Sequence, residues 1–483
     1  METPRPSGQS PRQKLAGLLE RGADASFESA RDSIRAAQLL SASSHRMLEG
    51  NFAPALMSLV QMNKDIASSL LRCVRGDGRL RDAASDAWGR LRAGLRYERL
   101  VASYGQELFG SARFPGERVL VEDEFLRLSY IPPAEGVPAA PLTVFHAGGG
   151  IPYSDRIFRL LPETNFFDRF RERGIGLYAM ELRGDRHALD YSGLTLEKLI
   201  DSIERMSTVA FEHNDRNKMV LEGYCGHGMQ AIAYAAAKPA DAEAKFLALA
   251  TFVAPIDGTE CKELGELTML LPQAWVDASQ VLWRLLGGYV PGDTMRSGLD
   301  LSLKTMFHKT PFGYFMAGWS QKDLAKIDSL AALSPSQRRD LAGAYWISPD
   351  NANRFPIPVG LARYATSLFR RGIAKDGTIG FEYQGKPLSL RAIVDGTKLP
   401  VVGFYGGRDV MVPDRTAFVL MSLFGERYRH VVHPLAGHIS YVLSPRMWNP
   451  ADARGLKPNP IDVLLSLARQ ARFGRRARGA AKA

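Results

Sequence analysis

The sequence predicts an α/β chain: a mainly parallel sheet between layers of helix, with a helical front and one large insertion. Three observations carry that expectation. From Arg118 onward short apolar runs alternate with helical patterns. The runs are apolar at nearly every position, and residues 256–398 separate two of them. Strands buried on both faces read as continuous apolar runs, and intervening helices imply parallel pairing.

The elements follow in order. Residues 1–110 read as a helical N-terminal region. FESARDSIRAAQLLSASSHRMLEG has Phe27, Ile34, Leu39 and Leu40 as its apolar positions and ends on Gly50 as a C-cap. ALMSLVQMNKDIASSLLRCV continues to the RGDG break at Arg75, with Cys73 on its apolar side, and RLRDAASDAWGRLRAGLRYERLVASYGQELF supplies a further long helix. Residues 111–483 carry the sheet. RVLVEDEFLRLSYIPP reads as two short strands around an acidic turn. LTVFHA, GIGLYAMEL, KMVLEG, FLALATFVAP, LPVVGFYG and YRHVVHP supply the remaining strands. The insertion at 256–398 reads as helical and irregular; it is too long for a loop and behaves as a cap.

Composition excludes several classes. With 45% hydrophobic and 23% charged residues, the chain has a globular profile. It lacks an apolar run long enough to span a membrane, and METPRPSGQSPRQK lacks the apolar centre of a secretory signal. Cys73, Cys225 and Cys261 are too few for a disulfide framework and fit no metal site, so the expectation is a cytoplasmic protein without metal or cofactor. The net charge is +11, and residues 469–483, RQARFGRRARGAAKA, form a basic end that can rest on an anionic surface, a nucleic acid or a lipid-coated particle, but reads first as a solvated, disordered tail. Only Phe473 interleaves with its arginines, so specific nucleic-acid recognition is not expected.

Chemistry concentrates at three turns. Gly223-Tyr224-Cys225-Gly226-His227-Gly228 has a strand before it and a helix after it, the setting of a nucleophile elbow. Residues flanking such a nucleophile must be small, and Gly223, Gly226 and Gly228 satisfy that need. The backbone N–H of Gly226 would face an acyl oxygen at the positive end of the following helix. In VVGFYGGRDVMVPDR, Asp409 follows a strand and a Gly-Gly turn; in HVVHPLAGHISYVL, His438 follows the last strand. Nucleophile, acid and base thus occur in the chain order of a Cys-His-Asp triad: His438 takes the thiol proton and Asp409 holds the imidazole. VFHAGGG ends the first parallel strand, where a second oxyanion N–H belongs, from Ala147 or its neighbour Gly148. Its glycines read equally as a tight loop. His227 reads as a tuner of the thiolate, a substrate contact or a packing residue. His430 and His433 flank the last strand without reaching the turn position of His438, and Cys261 reads as structural.

These features resemble the polyhydroxyalkanoate synthase family of α/β-hydrolase-fold enzymes. GYCGHG is similar to the family's G-x-C-x-G-G box, with His227 in place of a glycine. Asp409 with Pro413, and Gly437-His438-Ile439-Ser440, resemble its acid and histidine motifs. YWISPDNANRFP, with Trp346, Asp350, Asn353 and Pro356, resembles its cap signature. HAGGGIPYSD and ELRGDRHALDY depart from the family pattern, as does the basic end after Trp448. The resemblance implies an acyltransferase that moves (R)-3-hydroxyacyl groups from CoA thioesters to a growing polyester, acting as a homodimer at a polymer granule surface. Two other readings fit the same residues. One is an intracellular polyester depolymerase, thioesterase or esterase; the other is a catalytically inactive, granule-associated binding protein.

Overall fold

The sheet strands are β1 (Arg118–Glu122), β2 (Leu126–Ile131), β3 (Thr143–His146), β4 (Gly176–Leu182), β5 (Met219–Tyr224), β6 (Phe246–Phe252), β7 (Val401–Gly406) and β8 (Tyr428–His433). They form one eight-stranded sheet in the order β1-β2-β4-β3-β5-β6-β7-β8. β2 runs antiparallel to both β1 and β4, and every other pair is parallel. This order, with the second strand reversed in an otherwise parallel sheet, is the α/β-hydrolase fold. The computed structural model describes residues 80–480 except 151–154, 163–164, 184–189, 262–264, 266–267, 269–271, 291–318 and 347–355.

Period two sends alternate side chains to opposite faces. Phe145, Tyr178, Leu221, Leu249 and Tyr405 pack on one face, where helices α2 (Leu196–His213) and α3 (Gly226–Ala237) cover them with Leu199, Ile203, Met206 and Ile232. Val144, Leu177, Val220, Ala250 and Phe404 fill the other, beneath Phe166, Phe170, Ile461 and Leu464. Each such large side chain contributes about 1.5–3 kcal/mol by leaving water. The acidic turn between β1 and β2 is held by Asp123, whose carboxylate accepts the N–H groups of Phe125 at 2.8 Å and Leu126 at 2.6 Å.

The helix before the sheet, α1 (Leu80–Leu108), does not stand alone. It lies against helix α4 (Pro335–Trp346) of the insertion, so closely that a Cβ on Gly105 would stand 2.5 Å from Cβ of Tyr345. Tyr97 meets Trp319 edge-on at 5.1 Å. The front of the chain therefore seats on the insertion. Residues 1–79, with Cys73, lie outside the described residues.

Two expectations need correction. The pattern over 256–398 predicts helical and irregular structure, yet Thr378–Tyr383 and Lys386–Ser389 form an antiparallel hairpin. Its two-residue turn, Gln384 and Gly385, has positive φ at both positions (50° and 71°), the twist that suits a tight hairpin. The basic end is expected to be a disordered tail, yet its backbone continues helix α6 (Pro460–Ala480); helix α5 (Val359–Arg371) belongs to the insertion. Among the described residues no helix is long and apolar enough to cross a membrane.

Candidate active site

β5 ends at Tyr224 and α3 begins at Gly226, leaving Cys225 alone to make the turn. Its φ of 52° and ψ of −124° lie on the left-handed side that non-glycine residues avoid. Such strain costs of order 1–3 kcal/mol and persists only where the surroundings enforce it. Here the Cys225 N–H donates to Phe252 O at 2.8 Å, and the helix begins with the Gly228 N–H on Cys225 O at 2.9 Å. A Cβ on Gly223 would stand 2.4 Å from the His227 carbonyl oxygen, and one on Gly228 2.6 Å from Ala254. Gly226 differs: a Cβ there meets nothing within 4 Å. The expectation that all three glycines are sterically required is therefore corrected; two are, and the third borders open space beside a partly exposed Cys225.

Asp409 follows β7 and is buried. Its Oδ1 accepts the N–H groups of Met411 at 3.0 Å and Val412 at 2.9 Å, while Oδ2 lies 2.8 Å from His438 Nδ1. A carboxylate on Nδ1 fixes the tautomer and leaves the other ring nitrogen for the Cys225 side chain, whose electrostatic influence reaches His438. Burial works to lower the His438 pKa, but the negative charges of Asp409 and Cys225, with their hydrogen bonds, outweigh it and raise it well above the ordinary value. The turn is also held from below: the Tyr224 hydroxyl donates to His438 O at 2.5 Å. Cys225, His438 and Asp409 thus converge from three separate strand ends. A thiol beside a carboxylate-oriented imidazole can lose its proton to the ring and attack an electrophilic carbon.

The oxyanion expectation divides. Gly226 opens α3, where the first N–H groups of a helix have no intrahelical acceptor. The Ala147 N–H, by contrast, donates to Glu222 O at 2.8 Å, extending the β3–β5 ladder. Ala147 is therefore excluded as a donor because its amide completes the sheet.

His227 reaches the loop after β3. It is fully buried, its Nε2 accepts the Gly150 N–H at 3.0 Å, and it lies 3.4 Å from Asp155 Oδ1. Burial, then the nearby His146, pushes its pKa well below the ordinary value, so the ring is neutral. His430 contacts Tyr428 and Asp414, and His433 bonds the Tyr441 hydroxyl at 2.7 Å and Pro458 O at 2.8 Å. Neither joins the triad. Cys261 is buried, and burial raises its thiol pKa well above the usual value.

Sequence reasoning missed a buried polar cluster beneath the elbow. His146 Nδ1 lies 2.5 Å from Glu222 Oε2, and Asp155 accepts the Gly149 N–H at 3.0 Å and the Leu182 N–H at 2.8 Å. A signal was present: Glu222 is a charge inside the apolar run MVLEGY, and a buried charge requires a partner. Tyr364 was also missed. It projects from α5 and its hydroxyl approaches Gly226 O at 3.4 Å, bringing the insertion directly over the elbow. Asp350 and Asn353 lie outside the described residues, and no group of three metal-ligating side chains occurs among those described.

The chain matches no family model and no curated protein. Among solved structures it is similar to VinJ, at 15% identity over 74% of this chain and 100% of that one (TM-score 0.39). It is also similar to the monoacylglycerol lipase of Paleococcus ferrophilus (12% identity; 71% and 99% covered; TM-score 0.39). A putative aryl esterase from Burkholderia cenocepacia matches at 12% identity, with 74% and 98% covered and a TM-score of 0.38.

Proposed function

We propose that this protein is a cysteine-dependent acyltransferase that takes (R)-3-hydroxyacyl groups from CoA thioesters and adds them to a growing polyester. One observation carries the acyl-transfer reading: Cys225 sits on a strained elbow, electrostatically coupled to an imidazole that Asp409 orients. His438 takes the thiol proton, the sulfur attacks the thioester carbonyl carbon, and the CoA thiolate leaves with that proton. The exchange is thioester for thioester and therefore close to isoenergetic. In the second step His438 removes the proton of a 3-hydroxyl, whose oxygen attacks the acyl-cysteine to form an oxoester and free the thiol. Water must be excluded from that step, and the Tyr364 side chain of α5, seated over Gly226, supports such shielding. The choice of 3-hydroxyacyl groups rests on the motifs that resemble polyhydroxyalkanoate synthases.

Incubation with (R)-3-hydroxybutyryl-CoA tests the proposal by following CoA, polymer and free acid together. Polymer formed in step with CoA release is the expected result. Free acid alone would replace the transferase with a hydrolase of the same triad. Turnover retained in Cys225→Ala would overturn the acyl-cysteine itself.

A further inference from the structure

Among the described residues of the stretch after β3, one backbone donor is to spare, and its identity follows from the bonds around it. The Ala147 N–H goes to Glu222 O, the Gly149 N–H to the Asp155 carboxylate, and the Gly150 N–H to His227 Nε2. The Gly148 carbonyl accepts from Gln230 Nε2 at 3.0 Å. Among the described residues, the Gly148 N–H is the amide of this stretch with no acceptor. His227 and Gln230 both belong to the first turns of α3, the helix that Cys225 opens. The contact is close: a Cβ on Gly150 would stand 2.4 Å from Gln230 Oε1 and 3.4 Å from His227 Cδ2.

We propose that His227 is a positioning residue: its Nε2, with Gln230, clamps the 148–150 loop to the elbow so that the Gly148 N–H serves as the second oxyanion donor. This deepens the acyl-transfer reading and rests on it. The local chemistry favours a positioning role over simple packing. Accepting from an N–H requires a lone pair on Nε2, so the ring proton sits on Nδ1. That Nδ1 is buried without a partner among the described residues. A glycine or an apolar side chain would avoid the unmet donor, so stability alone does not favour histidine here. The acceptor it supplies to the loop does.

The test separates oxyanion stabilisation from everything else the thiol needs. Acylation of Cys225 by 4-nitrophenyl acetate forms a C–S bond, breaks the ester C–O bond and releases nitrophenolate through a tetrahedral oxyanion. Alkylation by iodoacetamide displaces iodide and develops no oxyanion. His227→Leu is expected to slow the acylation burst about 10²–10³-fold, the usual loss for one such donor, while alkylation stays within about twofold of wild type. His227→Gln, whose Oε1 can replace Nε2 as acceptor, is expected to recover most of the burst. Should His227→Leu not fold, Gln230→Met removes the other tether and is expected to show the same split. Equal bursts in wild type and the leucine variant overturn this inference alone. So does a parallel fall in acylation and alkylation. A missing burst in wild type overturns the acyl-transfer reading and this inference with it.

Discussion

His438 Nδ1 lies 2.8 Å from Asp409 Oδ2, and the other oxygen of that carboxylate holds the backbone N–H groups of Met411 and Val412. The acid is thus fixed by its own turn before it orients the base. Asp409→Asn keeps an acceptor for those two amides but presents an N–H to His438 Nδ1. The imidazole then carries its proton on Nε2 and cannot accept one from the thiol. Turnover is expected to fall about 10³–10⁴-fold with little change in Tm. Thioester turnover and thermal unfolding measured together check it; near-normal turnover would remove Asp409 from the mechanism.

The elbow glycines separate by what surrounds them. Gly228→Ala drives a methyl group to 2.6 Å from Ala254 and is expected to destabilise the fold by about 1–3 kcal/mol. Gly226→Ala meets nothing within 4 Å and is expected to unfold within about 0.5 kcal/mol of wild type. Urea unfolding of the two variants decides between this ordering and an equal effect.

Asp155 predicts a pH dependence of stability. Its pKa is raised to about 6, first by burial and then by Glu181, against the amides of Leu182 and Gly149 and the charge of His146. His227 also faces it, and Arg159 holds Glu181 from the neighbouring side. A carboxyl group with a raised folded pKa favours the fold while protonated. Its contribution is therefore greatest below about pH 4 and is lost as the pH climbs through about 6, a change of about 3 kcal/mol. The difference in unfolding free energy between wild type and Asp155→Asn, followed from pH 4 to 7, is expected to trace that fall. A flat difference would contradict it.

Helix α1 is expected to depend on the insertion. Gly105→Leu places a side chain where Cβ alone stands 2.5 Å from Tyr345, so the two helices must part. Limited proteolysis is expected to cut α1 in this variant before the sheet region, whereas wild type resists. Unchanged protection would show that the contact is dispensable.

Much of the fold was legible because its signals are local. Strands buried on both faces must be apolar, so β3 through β8 announced themselves as runs such as KMVLEG and LPVVGFYG. The Gln384-Gly385 hairpin escaped notice because its flanking residues, TIGFEY and KPLS, lie in a long segment whose helices dominate the pattern. Its turn also opens with Gln rather than the more usual Asn or Asp. Within the site, the order Cys225, Asp409, His438 was readable from turns that follow strands.

The destination of each polar group was not readable in the same way. Nothing in VFHAGGG reveals that the Ala147 N–H completes the β3–β5 ladder or that Gly150 reaches His227. By itself the sequence determined the strands of the main sheet, their helices and the places of Cys225, Asp409 and His438 at three turns, because burial and turn geometry act over a few neighbouring residues. Only the tertiary structure decided which amide is left over, which glycine borders open space, and that His227 bonds to the loop after β3. Those outcomes depend on pairings between residues about 75 positions apart, which no local pattern encodes.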